Sequence, residues 1–354
     1  MQEMIRVGIL GATGIVGQRF LQLLDGHPSF AVTTVAASDR SEGKAYTDAC
    51  TWRLGGDVPR AALGLRVQAP EPPLDCDVVF SSLPAEVAGP VETRFAQAGY
   101  PVISNSSAHR LSESVPLVIP EVNPEHLGLL DTCRDAMGAG GGFIVTNPNC
   151  SAVMIALTLA PLAARFGVEA VVVTTLQALS GAGHPGVSAL DITDNVIPFI
   201  AGEEEKIERE TRKILGRLQG GRVAPAGFPV SAQCHRVNVA DGHLAAVRVT
   251  LGRPADPAEL REAFASFRAL PQELGLPSAP AQPIVVRDEP DRPQPRLDRD
   301  AGRGMTVTVG RIARDAVLGH RFVVLSHNTV RGAAGAAILN AELLLAKGYL
   351  KPGA

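Results

Sequence analysis

The sequence lacks any apolar run of the roughly 18 to 20 residues that a membrane-spanning helix needs. Its first ten residues also lack a basic segment ahead of a long apolar one, which a secretory signal would show. We therefore expect neither secretion nor membrane insertion. Positive charge is not in excess, since 33 Lys and Arg face 36 Asp and Glu for a formal net charge of -3. Without a basic field that attracts phosphate backbones, the expected ligand is a small molecule and not a nucleic acid.

Cysteine is scarce as well. The chain has five cysteines, far apart and outside any C-x-x-C or Cys/His spacing typical of zinc sites. An odd, scattered set does not favour a disulfide framework, and no metal site is expected. The reducing cytoplasm is the expected compartment, and there any one thiol can act as a nucleophile.

What the chain does have is 354 residues, 45 % of them hydrophobic and 19 % charged, a composition typical of a globular protein with about two domains. Over the first 150 residues, short β-branched runs alternate with helical patterns, which predicts a parallel sheet flanked by helices. The predicted strands are residues 6–10, 32–36, 78–80, 102–103 and 143–146, and the predicted helices are 16–24 and 90–98.

The pattern changes after Cys150. A helical stretch at 152–165 leads into longer alternating runs, which favour a mostly antiparallel second sheet and an α+β second half. These runs are residues 170–177, 244–251, 305–312 and 322–325. Further helices are predicted at 203–218, 258–267 and 333–347, the last amphipathic. The rest of the proline-rich stretch 254–303 is predicted to be irregular and to run over the surface.

A glycine-rich segment follows the first predicted strand and opens the first predicted helix. It reads G-A-T-G-I-V-G, a variant of the dinucleotide-binding spacing. Glycines let the backbone approach a pyrophosphate, and the helix N-terminus supplies free N–H groups for it. The first half is therefore predicted to be a Rossmann-like α/β domain; the alternative is a strand-to-helix turn that binds nothing. The candidate contacts are Gly11, Thr13, Gly14, Ile15, Val16 and Gly17.

Cofactor choice should be readable after the second predicted strand, where a ribose hydroxyl or its phosphate is held. Two cations and two hydroxyls there suit a 2′-phosphate and hence NADP. Asp39 lies among them, so NAD remains an alternative, as does a solvated loop with no ligand. The candidate residues are Ser38, Arg40, Ser41 and Lys44.

Residues 146–151 read T-N-P-N-C-S and join a predicted buried strand to a helix start. A cysteine in this position has its thiolate stabilised by the helix dipole and by free N–H donors. The pKa of Cys150 is therefore predicted to fall, which would make it a nucleophile at neutral pH. A buried structural cysteine is the alternative.

Two later segments supply what acyl transfer to a thiol requires. Gln177 ends a β-branched run before a glycine-rich turn, so it could orient a carbonyl group. Arg236 and His243 flank the tight turn at Asp241 and Gly242, which lets them converge. Arg236 would bind a carboxylate, and His243 would act as an acid or base near pH 7. A polar surface histidine is the alternative for His243.

Polar residues also cluster at two further places. Glu210 and Lys213 share a face of the predicted helix 203–218, either as a solvated ion pair or as ligands for an amino group and an anion. The run S-N-S-S-A-H-R at 104–110 follows a parallel strand at its carboxyl end, where open α/β sheets bind ligands, and its donors suit a phosphate.

Taken together, these segments resemble the aspartate-β-semialdehyde dehydrogenase family, and in particular its archaeal and fungal type, over nearly the whole chain. The resemblance rests on seven motifs in order: G-A-T-G-I-V-G at 11–17, S-N-S-S at 104–107, P-N-C-S at 148–151, Q-A-L-S-G-A-G at 177–183, E-T-R-K-I-L at 210–215, R-x6-H at 236–243 and H-N-T-V-R-G-A-A-G at 327–335.

The resemblance implies a reversible NADP-dependent reaction between aspartate semialdehyde plus phosphate and aspartyl phosphate, run in the cell as the reductive dephosphorylation. Cys150 would form a thioester, His243 would be the acid or base, and Gln177 would orient the substrate. The implied ligands are Arg236 for the α-carboxylate, Glu210 for the α-amino group, and Lys213, Asn105, Ser106 and Arg110 for the phosphate. Further implied cofactor contacts are Ser180, Gly181 and Asn328.

The resemblance also implies a domain division and an oligomer. Residues 1–149, completed by the C-terminal helix 329–354, would bind the dinucleotide, and residues 150–328 would form the catalytic and oligomerisation domain of a homodimer or homotetramer. Two related enzymes are alternatives. N-acetylglutamyl-phosphate reductase is associated with P-G-C at the nucleophile, where this chain has P-N-C, whereas malonyl-CoA reductase uses the same thioester logic. A nucleotide-sensing protein without catalysis is the alternative from another class.

Overall fold

The computed structural model describes residues 4–138 and 140–353. These residues form two six-stranded sheets, a two-stranded hairpin and flanking helices. The strands are β1 (Ile5–Leu10), β2 (Phe30–Ala36), β3 (Val67–Gln68), β4 (Val78–Ser81), β5 (Pro101–Ser104), β6 (Phe143–Thr146), β7 (Val168–Gln177), β8 (Arg217–Gln219), β9 (Arg222–Ala224), β10 (Val230–Arg236), β11 (His243–Leu251), β12 (Ile284–Val286), β13 (Val307–Asp315) and β14 (Gly319–Ser326). The α-helices are α1 (Ile15–Leu24), α2 (Tyr46–Ala49), α3 (Arg60–Leu63), α4 (Ala85–Gln97), α5 (Leu130–Met137), α6 (Cys150–Phe166), α7 (Ala189–Ile192), α8 (Glu203–Ile214), α9 (Pro257–Ala265), α10 (Leu270–Glu273), α11 (Pro295–Asp298) and α12 (Gly335–Ala346).

The first sheet is parallel throughout, in the strand order β3-β2-β1-β4-β5-β6, as the alternation of strands and helices predicted. Every residue of β4 and β6 is buried, because helices cover both faces of a parallel sheet. The chain runs outward from β1 to β2 on one side and returns to β4 on the other. This reversal leaves a crevice at the carboxyl ends of β1 and β4, where such sheets bind ligands.

The second sheet has the order β10-β7-β11-β14-β13-β12. Its three inner pairings are antiparallel, but β10 pairs with β7, and β12 with β13, in parallel. The predicted mostly antiparallel sheet is thus confirmed at its centre, and the sheet as a whole is mixed. β10 was not among the predicted strands, although Val230, Ala232 and Cys234 alternate with polar residues in the period-2 pattern of a strand buried on one face.

The stretch 254–303 is more regular than predicted. Helix α9 begins behind a capping box formed by Asp256 and Glu259. The three-residue β12 pairs with β13 and completes the edge of the second sheet. A strand this short, set among prolines, leaves no readable period, so the prediction of an irregular segment was wrong here.

The predicted helix 203–218 ends early. Helix α8 stops at Ile214, and β8 and β9 follow as a hairpin whose turn residues Gly220 and Gly221 both have positive φ. That backbone conformation favours glycine.

The final helix, α12, belongs to the core of the first sheet. Its residues from Gly335 to Leu344 are all buried, so the prediction of an amphipathic helix was wrong. Its polar members are paired inside the protein: Glu342 Oε1 lies 2.8 Å from His27 Nε2, and Asn340 Nδ2 donates to Asn147 Oδ1 at 2.6 Å. Among the helices of residues 4–138 and 140–353, none combines the length and the apolar character that crossing a bilayer requires.

Candidate active site

A cavity of about 630 Å³ opens at the carboxyl end of the first sheet, where this sheet meets the strand ends of the second. Twelve of the residues predicted for the site line it: Gly14, Ile15, Val16, Asn105, Ser106, Arg110, Cys150, Gln177, Ser180, Gly181, Arg236 and Asn328. The cavity therefore joins the glycine-rich loop to the candidate nucleophile in one space.

The glycine-rich loop has the geometry that a dinucleotide requires. Gly11 has a φ of +76°, and a Cβ at Gly17 would clash with the carbonyl of Gly11, so larger residues do not fit. Helix α1 begins after Gly14 with no side-chain cap and no acidic residue in its first turn. Its first N–H groups and dipole are thus available to an anion, and this chain fits a bound pyrophosphate.

The segment proposed for cofactor choice lies beside that loop. Gly11 N–H donates to the carbonyl of Ala36 at the end of β2, and an exposed turn follows in which Ser41 N–H donates to Ser38. Lys44 Nζ donates to the carbonyl of Arg40 at 2.6 Å. Ser38, Arg40 and Lys44 are exposed outside the 630 Å³ cavity, which leaves them accessible to a 2′-phosphate.

Cys150 is the first residue of α6 and lies, partly exposed, on the cavity wall. Two of the donors at this helix start are used by the cap, because Asn149 Oδ1 accepts from the N–H groups of Ser151 (2.8 Å) and Ala152 (3.1 Å). Burial and then the charge of Glu203 raise the pKa of Cys150 to about 12, against the opposing effects of Arg110 and Arg236. The predicted fall in the pKa of this thiol is therefore wrong.

His243 and Arg236 converge on the glycine-rich turn, as predicted. A Cβ added to Gly181 would lie 2.8 Å from Arg236 Nη1 and 2.9 Å from His243 Cε1. Ala178 N–H donates to His243 Nδ1 at 3.1 Å, which assigns the hydrogen of the neutral ring to Nε2. That buried Nε2 has no partner in the described structure.

The charge state of His243 differs from the expectation. Burial, then Arg236 and His327, lower the pKa of His243 to about 3. The ring is therefore neutral at pH 7 and presents an Nε2–H donor, so the prediction of an ordinary histidine titrating near pH 7 is wrong.

Glu203, the first residue of α8, was not among the predicted site residues. Its side chain lines the cavity, and its Oε1 accepts from Asn149 Nδ2 (2.7 Å) and from Gln177 Nε2 (3.2 Å). No sequence signal distinguishes Glu203 from Glu204 and Glu205, because only the position of the helix start decides which carboxylate enters the site.

Glu210 lies behind the cavity wall and not on it. Its Oε1 accepts from Arg110 Nη1 at 3.1 Å, and its Oε2 accepts from the N–H of Asn149 at 2.5 Å. Burial raises the pKa of Glu210, while Arg110 and the N–H of Asn149 lower it. Arg110 also donates from Nη2 to the carbonyl of Asn105 at 2.6 Å, and its buried Nε has no partner in the described residues.

Lys213 points to the chain that follows Arg110. Its ammonium donates to the carbonyls of Arg110 (2.8 Å), Ser112 (2.8 Å) and Val115 (3.0 Å), which accounts for all three of its protons. Burial lowers the pKa of Lys213 to about 8, against Glu210 and Glu113, which raise it. This placement does not support direct contact with a phosphate in the cavity.

Asn328 connects three segments at the cavity. Its Oδ1 accepts from the N–H of Gly242 at 2.9 Å, and its Nδ2 donates to Ser180 Oγ at 2.8 Å. Across the cavity, Asn105 Oδ1 accepts from Asn147 Nδ2 at 2.8 Å. These amides fix the backbone around the site.

Comparison with known proteins agrees with this architecture. Residues 6–130 match the semialdehyde dehydrogenase NAD binding domain, and residues 159–331 match the semialdehyde dehydrogenase dimerisation domain. The chain is 54 % identical over 345 residues to aspartate-semialdehyde dehydrogenase of Methanothermobacter thermautotrophicus, covering 96 % of this chain and 99 % of the relative. It is 53 % identical over 340 residues to that of Archaeoglobus fulgidus, covering 96 % and 97 %. The crystal structure of aspartate semialdehyde dehydrogenase with NADP from Candida albicans superimposes with a TM-score of 0.90 at 44 % identity, covering 98 % of this chain and 100 % of that one.

A parallel sheet with a glycine-rich loop, joined through a cysteine to a second, mixed sheet, defines a semialdehyde dehydrogenase that binds a nicotinamide dinucleotide. The chain belongs to the aspartate-semialdehyde dehydrogenase family. The resemblance stated from the seven motifs, including its archaeal and fungal type, is confirmed.

Proposed function

We propose that this chain catalyses the reversible, NADP-dependent reductive dephosphorylation of L-aspartyl 4-phosphate to L-aspartate 4-semialdehyde, with the acyl group carried on Cys150. The observation that carries this proposal is the single cavity that joins the uncapped start of α1 to Cys150 and Arg236. The names of the archaeal relatives and the NADP in the Candida albicans structure support the same reaction and cofactor. Malonyl-CoA reduction is not favoured by any of these observations.

For the cofactor, we propose that the pyrophosphate lies against the backbone from Gly11 to Gly17 and the 2′-phosphate against the segment from Ser38 to Lys44. The exposed Arg40 and Lys44 supply the charge there, and Ser180, Gly181 and Asn328 border the nicotinamide end. When bound, NADPH supplies the hydride that reduces the acyl carbon.

Cys150 starts the reaction by attacking the acyl carbon of aspartyl phosphate. A C–S bond forms, the C–O bond to phosphate breaks, and phosphate leaves with the bonding electron pair and takes up the proton of the thiol. Arg110 and Arg236 are the two cations that favour the thiolate form of Cys150. A thioester is needed because it keeps a carbonyl that accepts hydride, which a carboxylate does not.

His243 would act on the oxygen of the tetrahedral species that follows reduction. Its neutral ring donates from Nε2, because Nδ1 already accepts from Ala178. A donor aimed at developing negative charge in a buried site stabilises it strongly. Gln177 donates from Nε2 to Glu203 and, at 3.3 Å, to Thr175 Oγ1. Its side chain is thereby fixed and would orient the substrate.

The phosphate leaving group would be held by Arg110 with Asn105 and Ser106, which all line the cavity. The buried Nε of Arg110 offers a donor that no described residue uses. Glu210 and Lys213 would act indirectly, by fixing Arg110 and the chain that follows it.

Substitution of the nucleophile tests the proposal directly. Cys150→Ala should lower kcat by more than about 10³-fold while NADP binding, measured by fluorescence or calorimetry, is retained. Wild-type enzyme incubated with the semialdehyde and NADP in the absence of phosphate should show an acyl adduct on the Cys150 peptide by mass spectrometry. Cys133→Ala is the matched control and should keep full activity, because the thiol of Cys133 is buried in the hydrophobic core around the first sheet, away from the cavity. Undiminished turnover by Cys150→Ala would remove the covalent mechanism.

The oligomer is proposed to be a homodimer or homotetramer formed through the second sheet. The face of this sheet opposite α6 leaves Val172 and Leu176 each 38 % exposed, and residues 159–331 match a dimerisation domain. Sedimentation of the purified protein measures the assembly, and a monomer at micromolar concentration would contradict it.

We also propose a cytoplasmic location. All five cysteines are free, which suits a reducing compartment and a reaction that needs a thiol. Fractionation of the source cells tests this location. Detection of the protein in the membrane or extracellular fraction would contradict it.

A further inference from the structure

A buried carboxylate lies beneath the loop of residues 104–110, which follows β5 and reaches the cavity. This is Glu92 on helix α4, which is fully buried and does not itself line the cavity. Among the described residues, no cation lies within hydrogen-bond distance of Glu92. Burying a carboxylate without a bonded cation costs free energy, so this position needs a specific reason.

One oxygen of Glu92 holds the loop through a serine hydroxyl. Glu92 Oε1 accepts from Ser104 Oγ at 2.8 Å, and Ser104 Oγ accepts in turn from the N–H of Ser106 at 3.0 Å. A hydroxyl has one proton and two lone pairs, so the bond to Glu92 turns the lone pairs of Ser104 toward Ser106. Ser106 lines the cavity, and its Oγ accepts from the N–H of Ala108 at 3.3 Å. The proton of the Ser106 hydroxyl is thus left for a ligand.

The other oxygen of Glu92 lies near a second residue of the same loop. Glu92 Oε2 is 3.7 Å from His109 Nε2, and both buried atoms lack a hydrogen-bond partner within the described structure. Burial raises the pKa of Glu92 and lowers the pKa of His109. Both shifts favour the uncharged forms, so an amide side chain can stand in for Glu92 with little electrostatic change.

The loop held in this way carries the groups proposed to bind the phosphate, which are Asn105, Ser106 and Arg110. Asn105 N–H donates to the carbonyl of Ser81 at 2.9 Å, and Arg110 Nη2 donates to the carbonyl of Asn105 at 2.6 Å. Ser106, between them, is held by the hydroxyl that is bound to Glu92. Since a displacement of about 1 Å costs about 100-fold in rate, this support matters for the binding of a reactant.

We infer that Glu92 is a positioning residue for the phosphate, which acts through Ser104 to direct the hydroxyl of Ser106 toward a phosphate oxygen. The inference rests on the proposed function and adds to it a residue outside the cavity. Glu92 contacts neither substrate nor cofactor in this assignment. Its removal should therefore affect the phosphate and not NADP.

The test measures the KM for phosphate and the KM for NADP during oxidation of aspartate semialdehyde. Glu92→Leu, which removes the acceptor, should raise the KM for phosphate about tenfold while the KM for NADP stays within about twofold. Glu92→Gln keeps an acceptor for Ser104 and should hold the KM for phosphate within about threefold of wild type. Ser104→Ala should match Glu92→Leu, and the double variant should be no worse than either, because both changes remove one connection.

Glu342→Leu is the matched control. Glu342 is a similarly buried carboxylate, bound by His27 and by the N–H of Ser278. His27 precedes β2, so this group lies at the amino end of the first sheet, opposite the loop of residues 104–110. Thermal melting should show a loss of stability in both leucine variants, whereas only Glu92→Leu should change the KM for phosphate.

The outcomes separate the two proposals. An active wild type whose Glu92→Leu variant keeps its KM for phosphate, or raises both KM values equally, overturns the positioning role alone. A double variant whose effect is the product of the two single effects also overturns it. A wild type that does not reduce NADP with aspartate semialdehyde and phosphate contradicts the proposed function and the inference together. If Glu92→Leu does not fold, Ser104→Ala carries the test, and an unchanged KM for phosphate overturns the inference.

Discussion

Cys150 occupies the first turn of a 17-residue helix, yet the cap residue Asn149 already uses the N–H groups of Ser151 and Ala152. What remains to set its protonation is burial, the nearby charges of Glu203, Arg110 and Arg236, and the N–H of Cys150 itself, which lowers the pKa of the thiol. The thiol is therefore largely protonated at neutral pH in the free protein. Its reactivity depends on the balance of charges in the cavity.

This balance predicts how alkylation of Cys150 depends on pH. Because the pKa of the thiol is about 12, its rate of reaction with iodoacetamide should rise about tenfold per pH unit between pH 7 and 9. Glu203→Gln removes a charge that raises this pKa, so alkylation at pH 8 should become faster. Peptide mass spectrometry measures the modification of Cys150.

Glu208→Gln is the matched control for that experiment. Glu208 lies on the same helix but accepts from the N–H of Ala232, away from the cavity, so its variant should react like wild type. A Cys150 rate that is flat between pH 7 and 9 would contradict the raised pKa.

At the residue scale, the sequence identifies the side chains that stand in recognisable motifs. Cys150 and Gln177 stand at the ends of predicted elements, Arg236 flanks a recognisable turn, and the structure places all three on one cavity. Glu203 stands in a run of three glutamates, and Lys213 is aimed at backbone carbonyls that no pattern reveals. Charge states also depend on burial, which explains why the protonation expected for Cys150 and His243 was wrong.

Among the elements, the turn after β7 brings two side chains together: Arg236, proposed to bind the substrate carboxylate, and His243, proposed to act as the acid. Gly181 has a backbone conformation open to any residue, but its position is closed to a side chain by Arg236 and His243. The requirement for glycine here comes from close packing and not from φ.

Gly181→Ala should therefore impair catalysis without unfolding the protein. Its methyl group would push Arg236 and His243 from their positions, and a displacement of about 1 Å costs about 100-fold in rate. Steady-state kinetics and a melting curve measure the two effects. Gly227→Ala, at a glycine with open space around its Cβ position, is the control and should match wild type. Equal activity of both variants would show that the turn tolerates a side chain.

The sequence predicts long elements with a strong period better than short or fully buried ones. The first sheet and the centre of the second follow from β-branched runs, because each strand repeats its pattern over several residues. β3 and β12 have two and three residues and show no period. Helix α12 is buried on all sides, so its polar residues, paired with partners distant in sequence, were mistaken for an exposed face.

For the molecule as a whole, a buried ion pair anchors the segment that returns to the first sheet. Arg331, in the turn before α12, donates from Nη1 and Nη2 to the two carboxylate oxygens of Glu121, both at 2.7 Å. Both side chains are fully buried. Removing one partner of such a pair lowers the free energy of unfolding strongly, because the remaining charge is buried without a counter-charge or water.

Arg331→Ala should thus lower the free energy of unfolding by about 3–5 kcal/mol, measured by urea denaturation. Replacing both partners, as Glu121→Leu with Arg331→Met, should recover most of that loss, because no buried charge is then left unpaired. If the double variant is as unstable as Arg331→Ala, the pair does more than neutralise its own charges.

The position of α12 in the first core has a consequence for biosynthesis. The apolar residues of β1 and its neighbours are synthesised early. They are covered only when Ile338, Leu343 and Leu344, which follow about three hundred residues later, have been made. Among the described residues, the hydrophobic core around the second sheet includes none beyond Val324, so this core can close earlier. During translation the half that is synthesised first is the half that matures last, and nascent chains of this protein expose the future nucleotide-binding half to chaperones for most of their synthesis.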